Sequence, residues 1–517
     1  MTIPEVEQIF SDIKKEQYYD ILKQNDGRNV AVNSFTHNVG SFYEKIRYAV
    51  DYKDEHNIAR DAVARMLKRI LTYHNIEKTG EHLITELVSA RYLPNDAVGE
   101  KNAEIFLTII KKYFALAKEL SMRDDFAIRM ASSEIERFLN PRTSENPVAN
   151  AFYNTVSKKI DKNIGSYTVD FNMCLYIACR KKIFDEDVHG LRYFVLMWKF
   201  PKLLEYSENS PLSGSEQEEI KKAVAEIDRI IASPLLNKMT SKLRNDGVYF
   251  SMIHELVKRY GMGAELYFGN KELLEEKMRE VLSEAYKTKE KIVRRSGRQA
   301  VMFVLFTKIV IALALEVPFE HFILHHINYM ALGTNIIFHP LLLMFMVTSA
   351  PKANEKNTEA IVSGVHAILA GEDTKKIYIS RKGQGGFISF VYAIFYFVLY
   401  IAVLGGIVTM LNKLNFNIAS IFLFLLFLAL VSYFGIRIRH KARLWIVDYK
   451  KRGLISLAFD YATLPVVRMG RWLNEKFSAV NVFVFVLDFV IETPFKILLG
   501  TFDNFVSYLN DKKDELV

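Results

Sequence analysis

Along the first 298 residues a charged side chain recurs every few positions, whereas from residue 299 onward apolar runs alternate with short basic connectors. A helix needs about 20 mostly apolar residues to cross a bilayer core. Four stretches reach or approach that length: 300–317, 329–350, 386–411 and 416–436. The last two contain no formal charge, and only Asn412, Lys413, Leu414 and Asn415 lie between them, so the pattern predicts a helical hairpin. A further apolar stretch, 479–501, carries Asp488, Glu492 and Lys496 at i, i+4 and i+8, a polar stripe along one helical face interrupted by Pro494. Because Arg468, Arg471 and Lys476 precede it, an amphipathic helix lying on the bilayer is expected there, with a fifth span as the alternative.

In the N-terminal half, apolar residues recur at spacings of three and four, which predicts packed helices. The clearest stripe runs through Ile46, Val50, Ile58, Val63, Met66, Ile70 and Leu71 of a helix over 42–74, with Arg60, Arg65, Lys68 and Arg69 read as its solvated face. Turn-forming residues break the chain at 140–147 and 207–214. A capping box is expected at Ser215–Glu218, followed by helices over 217–232, 235–242 and 249–260. Only 376–381 reads as extended. The fold class is therefore all-α: a soluble helical N-terminal domain followed by a polytopic helical membrane domain. Its expected parts are helical subdomains at 1–140 and 148–290, a transmembrane hairpin at 299–350, a loop at 351–385, a second hairpin at 386–436, and a basic segment with an amphipathic helix at 437–517.

Charge adds orientation to this picture. The net charge of +9 lies largely beside the apolar runs, which favours anionic lipid headgroups as partner; no basic stripe with interleaved aromatics suggests nucleic acid. Arg294, Arg295, Arg437, Arg439, Lys441 and Arg443 are the expected headgroup contacts. Basic connectors favour the cytoplasmic side, so the N-terminal domain, the 351–385 loop and the segment after 436 are all expected there, in a multi-pass protein of the cell membrane. Residues 1–16 have no apolar core of a signal peptide. The two cysteines, Cys174 and Cys179, would point about 140° apart on a helix, as buried free thiols rather than a disulfide or metal pair.

Few residues suggest chemistry. Lys308 lies inside the first apolar run, where an ammonium is expensive and needs a partner. Glu316 is about 12 Å further along the same helix, too far for direct contact, so Asp488 or Glu492 is the expected counter-ion if the last helix packs against the first. His339 and Pro340 interrupt the second run, with Asn335 and His339 placed to satisfy backbone groups freed by the proline. Glu320, His321, His325 and His326 form a histidine cluster with metal-ligand spacing if helical. That seven-residue stretch resembles one box of the membrane di-iron hydroxylases and desaturases. Those proteins need three boxes, and His339, His366 and His440 stand alone. Tyr392, Tyr396 and Tyr400 read as a packing stripe, and the glycines at 383–386 as a flexible lead-in. These residues imply no cofactor. The expected function is a membrane-embedded binding or scaffold protein that engages an unknown cytoplasmic protein. The alternative is a small transporter or channel component built on Lys308 and the interrupted second helix, and the third reading is a metal-dependent membrane enzyme using His321, His325 and His326.

Overall fold

The computed structural model describes residues 4–20, 55–73, 75–90, 92–93, 101–160, 169–207, 211–350, 352–372, 376–378, 386–442, 445–447, 461 and 463–473. These are all-α: the described residues contain no strand, only an isolated bridge between Ile160 and Ile377. Ile377 N–H donates to the Lys159 carbonyl at 3.0 Å; the rest of the extended stretch expected at 376–381 lies, from residue 379, outside the described residues. The described residues fall into two compact units, one drawn from Met1–Asn270 and Val365–Ile379, the other from Lys271–Gly364 and Ser380–Glu492.

The first unit is an array of short helices. They are α1 (Pro4–Asp20), α2 (Glu55–Tyr73), α3 (Thr79–Ser89), α4 (Lys101–Glu119), α5 (Asp124–Leu139), α6 (Glu145–Lys159), α7 (Phe171–Phe184), α8 (Val188–Lys199), α9 (Gly214–Ala232), α10 (Pro234–Lys242), α11 (Arg244–Tyr260) and α12 (Ala264–Phe268). Four of them, α7 to α10, start after side chains that satisfy the free N–H groups of a first turn. Asp170 accepts from Met173 N–H and Asp187 from His189 and Gly190 N–H. The capping box before α9 is Ser213 with Glu216, two residues earlier than expected, so that helix gains its first turn at Gly214. Ser233 caps α10, whose first residue is Pro234, a position where a missing N–H does no harm.

Ile58, Val63, Met66 and Ile70 of α2 are buried as expected, while Ile46 and Val50 fall outside the described residues. Arg60 departs from expectation. It is 2% exposed and belongs to the core, whereas Lys68 does lie on the surface. Cys174 and Cys179 are buried and free, and burial, with Asp170 nearby, pushes the Cys174 thiol up to about 12.

The second unit begins with α13 (Lys271–Ile311), one uninterrupted helix of 41 residues. The change from charged to apolar composition near residue 299 thus falls inside a helix, because lysine, glutamate and arginine are good helix formers and give no reason to stop. The helix continues through π-helical turns Ala312–Glu316 and Phe319–Ile323. Then follow α14 (Tyr329–Thr348), α15 (Glu355–Leu369, of which Val365 onward belongs to the first unit), α16 (Gly386–Lys413) and α17 (Ile418–Ala442). Four helical segments are long and apolar enough to cross a membrane: Lys271–Ile323, Tyr329–Thr348, Phe390–Lys413 and Ile418–Ile436.

The helices α13, α14 and α17 form one core around Val293, Ala300, Val304, Leu343, Val431 and Ile438. Two glycines allow the approach: a Cβ on Gly297 would overlap Val347, and one on Gly435 would overlap Met346. The turn between α16 and α17 is closed by Asn415 at φ 58°, with Phe416 N–H donating to Leu411 O at 3.1 Å. This is a left-handed cap, which asparagine tolerates better than most residues. Beyond that turn Val403, Leu404 and Ile407 of α16 pack against the cluster that holds Phe424 and Leu428 of α17. Residues 463–473, part of the basic segment expected at 437–517, are helical and packed on the spans. Val466 joins the apolar cluster of Leu411, Phe416 and Phe424. Gly470 meets the backbone of Ala429, and the Arg468 guanidinium lies 4.8 Å from the centre of the Tyr396 ring.

Candidate functional site

Inside the second unit, four polar side chains converge among apolar helices. Lys308 of α13 is 0% exposed. Its Nζ donates to Asn335 Oδ1 at 2.7 Å and lies 4.2 Å from the centre of the Phe427 ring. Asn335 in turn donates from Nδ2 to Glu316 Oε1 at 2.6 Å. The amide therefore bridges cation and anion, accepting from one and donating to the other. Glu316 is the lysine's partner after all, through a residue of the neighbouring helix rather than along its own. The expected partners Asp488 and Glu492 lie outside the described residues. Glu316 Oε2 is buried with no hydrogen-bond partner.

His339 completes the cluster on the α17 side. Its Nδ1 is 3.1 Å from the Asn335 carbonyl and its Nε2 is 3.0 Å from the Phe424 carbonyl. Both neighbours are acceptors, so a neutral ring donates to one of the two carbonyls, and which one depends on the tautomer. Pro340 does not break α14, which runs through it from Tyr329 to Thr348. His339 answers the carbonyl of Asn335, and the Asn335 side chain is committed to Lys308 and Glu316 instead of to the backbone.

Glu320 has a different role. It is buried, and its carboxylate accepts from Asn328 N–H at 2.9 Å and from Asn417 Nδ2 at 2.6 Å. It thereby ties the turn before α14 to the turn before α17. The helix holding it ends at Ile323, and His325 sits at φ 52°. His321, His325 and His326 are all exposed and share no helical face. Among the described residues no group of three or more His, Cys, Asp and Glu side chains gathers to hold a metal. Of the expected headgroup contacts, Arg294 and Arg295 are exposed on α13 and Arg439 is half-buried on α17. The side chains of Arg437, Lys441 and Arg443 lie outside the described residues.

The first unit contains a second buried polar cluster, which the sequence reading did not single out. Arg60 pairs with Asn57, with Glu186 at 3.3 Å and with Asp187 at 2.6 Å. Arg180 lies 3.6 Å from Glu186 and donates to Asn146 at 2.9 Å, and its guanidinium rests 3.7 Å from the centre of the Phe194 ring. Arg142 pairs with Glu136 and, at 3.2 Å, with Glu145. Five helices, α2 and α5 to α8, contribute to or border this network. Gly190 is part of the fit, since a Cβ there would overlap both Glu186 Oε2 and Arg60 Nη1. The one local signal was the acidic pair Glu186 and Asp187 followed closely by glycine, which reads equally well as a helix cap.

Burial pushes the Glu136 carboxyl from 4.5 up to about 7, against the opposing pull of Arg142 and Arg60. A carboxyl raised in the folded state binds protons there that the unfolded chain has released. Its contribution to stability is therefore fully present below the unfolded value and is lost as pH rises through about 7. Thermal unfolding of Glu136→Gln followed from pH 5 to pH 8 should show a shallower loss of Tm than the parent. Parallel profiles for the two proteins would refute the raised value.

No protein-family model, curated protein or solved structure matches this chain.

Proposed function

We propose that the protein is a multi-pass membrane protein whose second unit moves protons by way of the Glu316–Asn335–Lys308 chain. In this reading the first unit and the basic connectors lie on the cytoplasmic side of the cell membrane, as the distribution of lysine and arginine favours. The observation that carries it is Glu316 Oε2, a buried carboxylate oxygen without a partner beside an amide-bridged lysine. A buried ion pair is often no more stabilising than well-packed apolar side chains. Titratable groups at membrane depth are most economically explained by ion or proton pathways. Glu316 Oε2 can accept a proton, Lys308 can release one, and Asn335 holds the two at fixed separation.

The test is proton flux into liposomes containing the purified protein and a trapped pH dye, driven by a potassium diffusion potential. The parent should acidify the lumen well above empty liposomes, and Glu316→Gln and Lys308→Met should each reduce the rate to the background. A parent indistinguishable from empty liposomes would defeat the proposal. A second reading, a membrane-anchored binding or scaffold protein, draws on α16. Its Phe390, Phe395, Phe397 and Ile401 are exposed among the described residues, as in a helix that docks a partner span.

A further inference from the structure

On α13, two adjacent stripes with i+4 spacing, Lys289–Val293–Gly297–Val301 and Glu290–Arg294–Arg298–Met302, line a cavity of about 860 Å³. From Lys289 to Met302 the helix rises about 20 Å, and along that rise the lining changes from basic to apolar. Met344, Val347 and Thr348 of α14 form the facing wall, and Trp445 and Ile446 close one side. That closing segment is held in place, because Asn357 donates to the Trp445 carbonyl at 2.8 Å and accepts from Val447 N–H at 2.9 Å. Tyr286 at the rim donates to neither, but accepts from the same Asn357 at 2.8 Å.

The charges do not balance within the cavity. Lys289, Arg294, Arg298 and Lys352 line it with a single carboxylate, Glu290. Glu290 is already engaged by Arg294 at 2.7 Å and Lys352 at 3.4 Å. Lys289 and Arg298 have no ion pair among the described residues. The apolar half begins where the apolar run of α13 begins, at Ala300, so a ligand filling both halves must be anionic at one end and hydrocarbon at the other.

We infer that this cavity binds a phospholipid with an anionic headgroup, its phosphate among Lys289, Arg294 and Arg298 and its chains against Val301, Met302 and Met344. The inference rests on the reading of these helices as membrane spans and is independent of proton movement. A volume of this size falls in the range of small-molecule sites, enough for the headgroup and the first carbons of the chains. The i+4 stripes face this ligand from one helix, and Gly297 keeps the floor low where α13 meets Val347.

The test uses the full chain in detergent, with bound lipid counted by native mass spectrometry after addition of phosphatidylglycerol, phosphatidylcholine with the same chains, or glycerol phosphate. Phosphatidylglycerol should be retained in preference to phosphatidylcholine, and glycerol phosphate should not compete with it. Each cation near a headgroup strengthens binding appreciably, so Lys289→Gln with Arg298→Gln should weaken retention by about thirtyfold. Lys291→Gln removes the same kind of exposed charge next to the cavity but outside its lining and should leave retention unchanged. Equal retention of the two lipids, or a double variant that behaves as the parent, would overturn the inference. So would equal losses in Lys291→Gln and the double variant, because the attraction would then be diffuse. Displacement by glycerol phosphate at comparable concentration would overturn it in favour of a free phosphate site. Because these variants leave Glu316 and Lys308 intact, the outcome is separable from that of the flux assay.

Discussion

Lys308→Met is expected to destabilise the detergent-solubilised protein by about 3–5 kcal/mol, the usual consequence of removing one member of a buried ion pair. The lysine's departure leaves Asn335 Oδ1 without its donor and Glu316 without its cation, both inside the core of α13, α14 and α17. Protonation of Glu316 would relieve part of that penalty, so the loss should be smaller at low pH. The decisive comparison is with the triple variant Lys308→Met, Asn335→Leu, Glu316→Leu. Replacing a complete buried polar group by apolar side chains is often neutral or stabilising, so the triple variant should recover most of the lost stability while carrying no proton flux. Thermal unfolding in detergent reads the first effect and the liposome assay the second. If Lys308→Met melts with the parent, the amide bridge is not holding a charged pair.

Arg60→Leu should cost a comparable amount, about 3–5 kcal/mol, through the first unit. Arg60 is the shared partner of Glu186, Asp187 and Asn57, and two of these are almost wholly buried. Glu186 would lose its contact with Arg60 at 3.3 Å and keep Arg180 at 3.6 Å. Asp187 would still cap α8 through His189 and Gly190 N–H, so that helix start should survive while the contact between α2 and α8 loosens. Amide hydrogen exchange can distinguish the two, with faster exchange in α2 and little change in the first turn of α8. Unchanged exchange in α2, with an unchanged denaturation midpoint, would mean that the network contributes nothing to stability.

Much of the second unit was legible because its apolar runs are long and few side chains interrupt them. Lys308, Asn335 and His339 stood out as polar residues in apolar surroundings, and they do converge. Glu316 was set aside because helical spacing measures distance along one helix only. It says nothing about a side chain reaching across from the next helix, as Asn335 does. The histidine cluster misled for a related reason. The i, i+4 rule assumes a regular helix, while Pro318 is flanked here by two wider turns and the helix ends before His325. Arg60 was the plainest failure. An arginine on an amphipathic helix has the same pattern whether it meets water or a carboxylate, and its carboxylates lie 126 and 127 residues away in the chain. Arg468 counted in the sequence only as one more basic residue after the fourth apolar run, and its place against the Tyr396 ring was not legible because a basic side chain can rest on an aromatic ring as well as face water.

The two wide turns around Pro318 amount to stored chain length. A π-helical turn holds an extra residue compared with an α-helical one. Converting either turn to regular helix would advance the chain beyond it by about 1.5 Å and rotate it by roughly 100°. Glu320 lies within the second turn, and Asn328 and Asn417 grip its carboxylate from two different loops. The segment thus resembles a wound crank with a pawl: the reserve of rotation sits in the helix, and one carboxylate keeps it from being released.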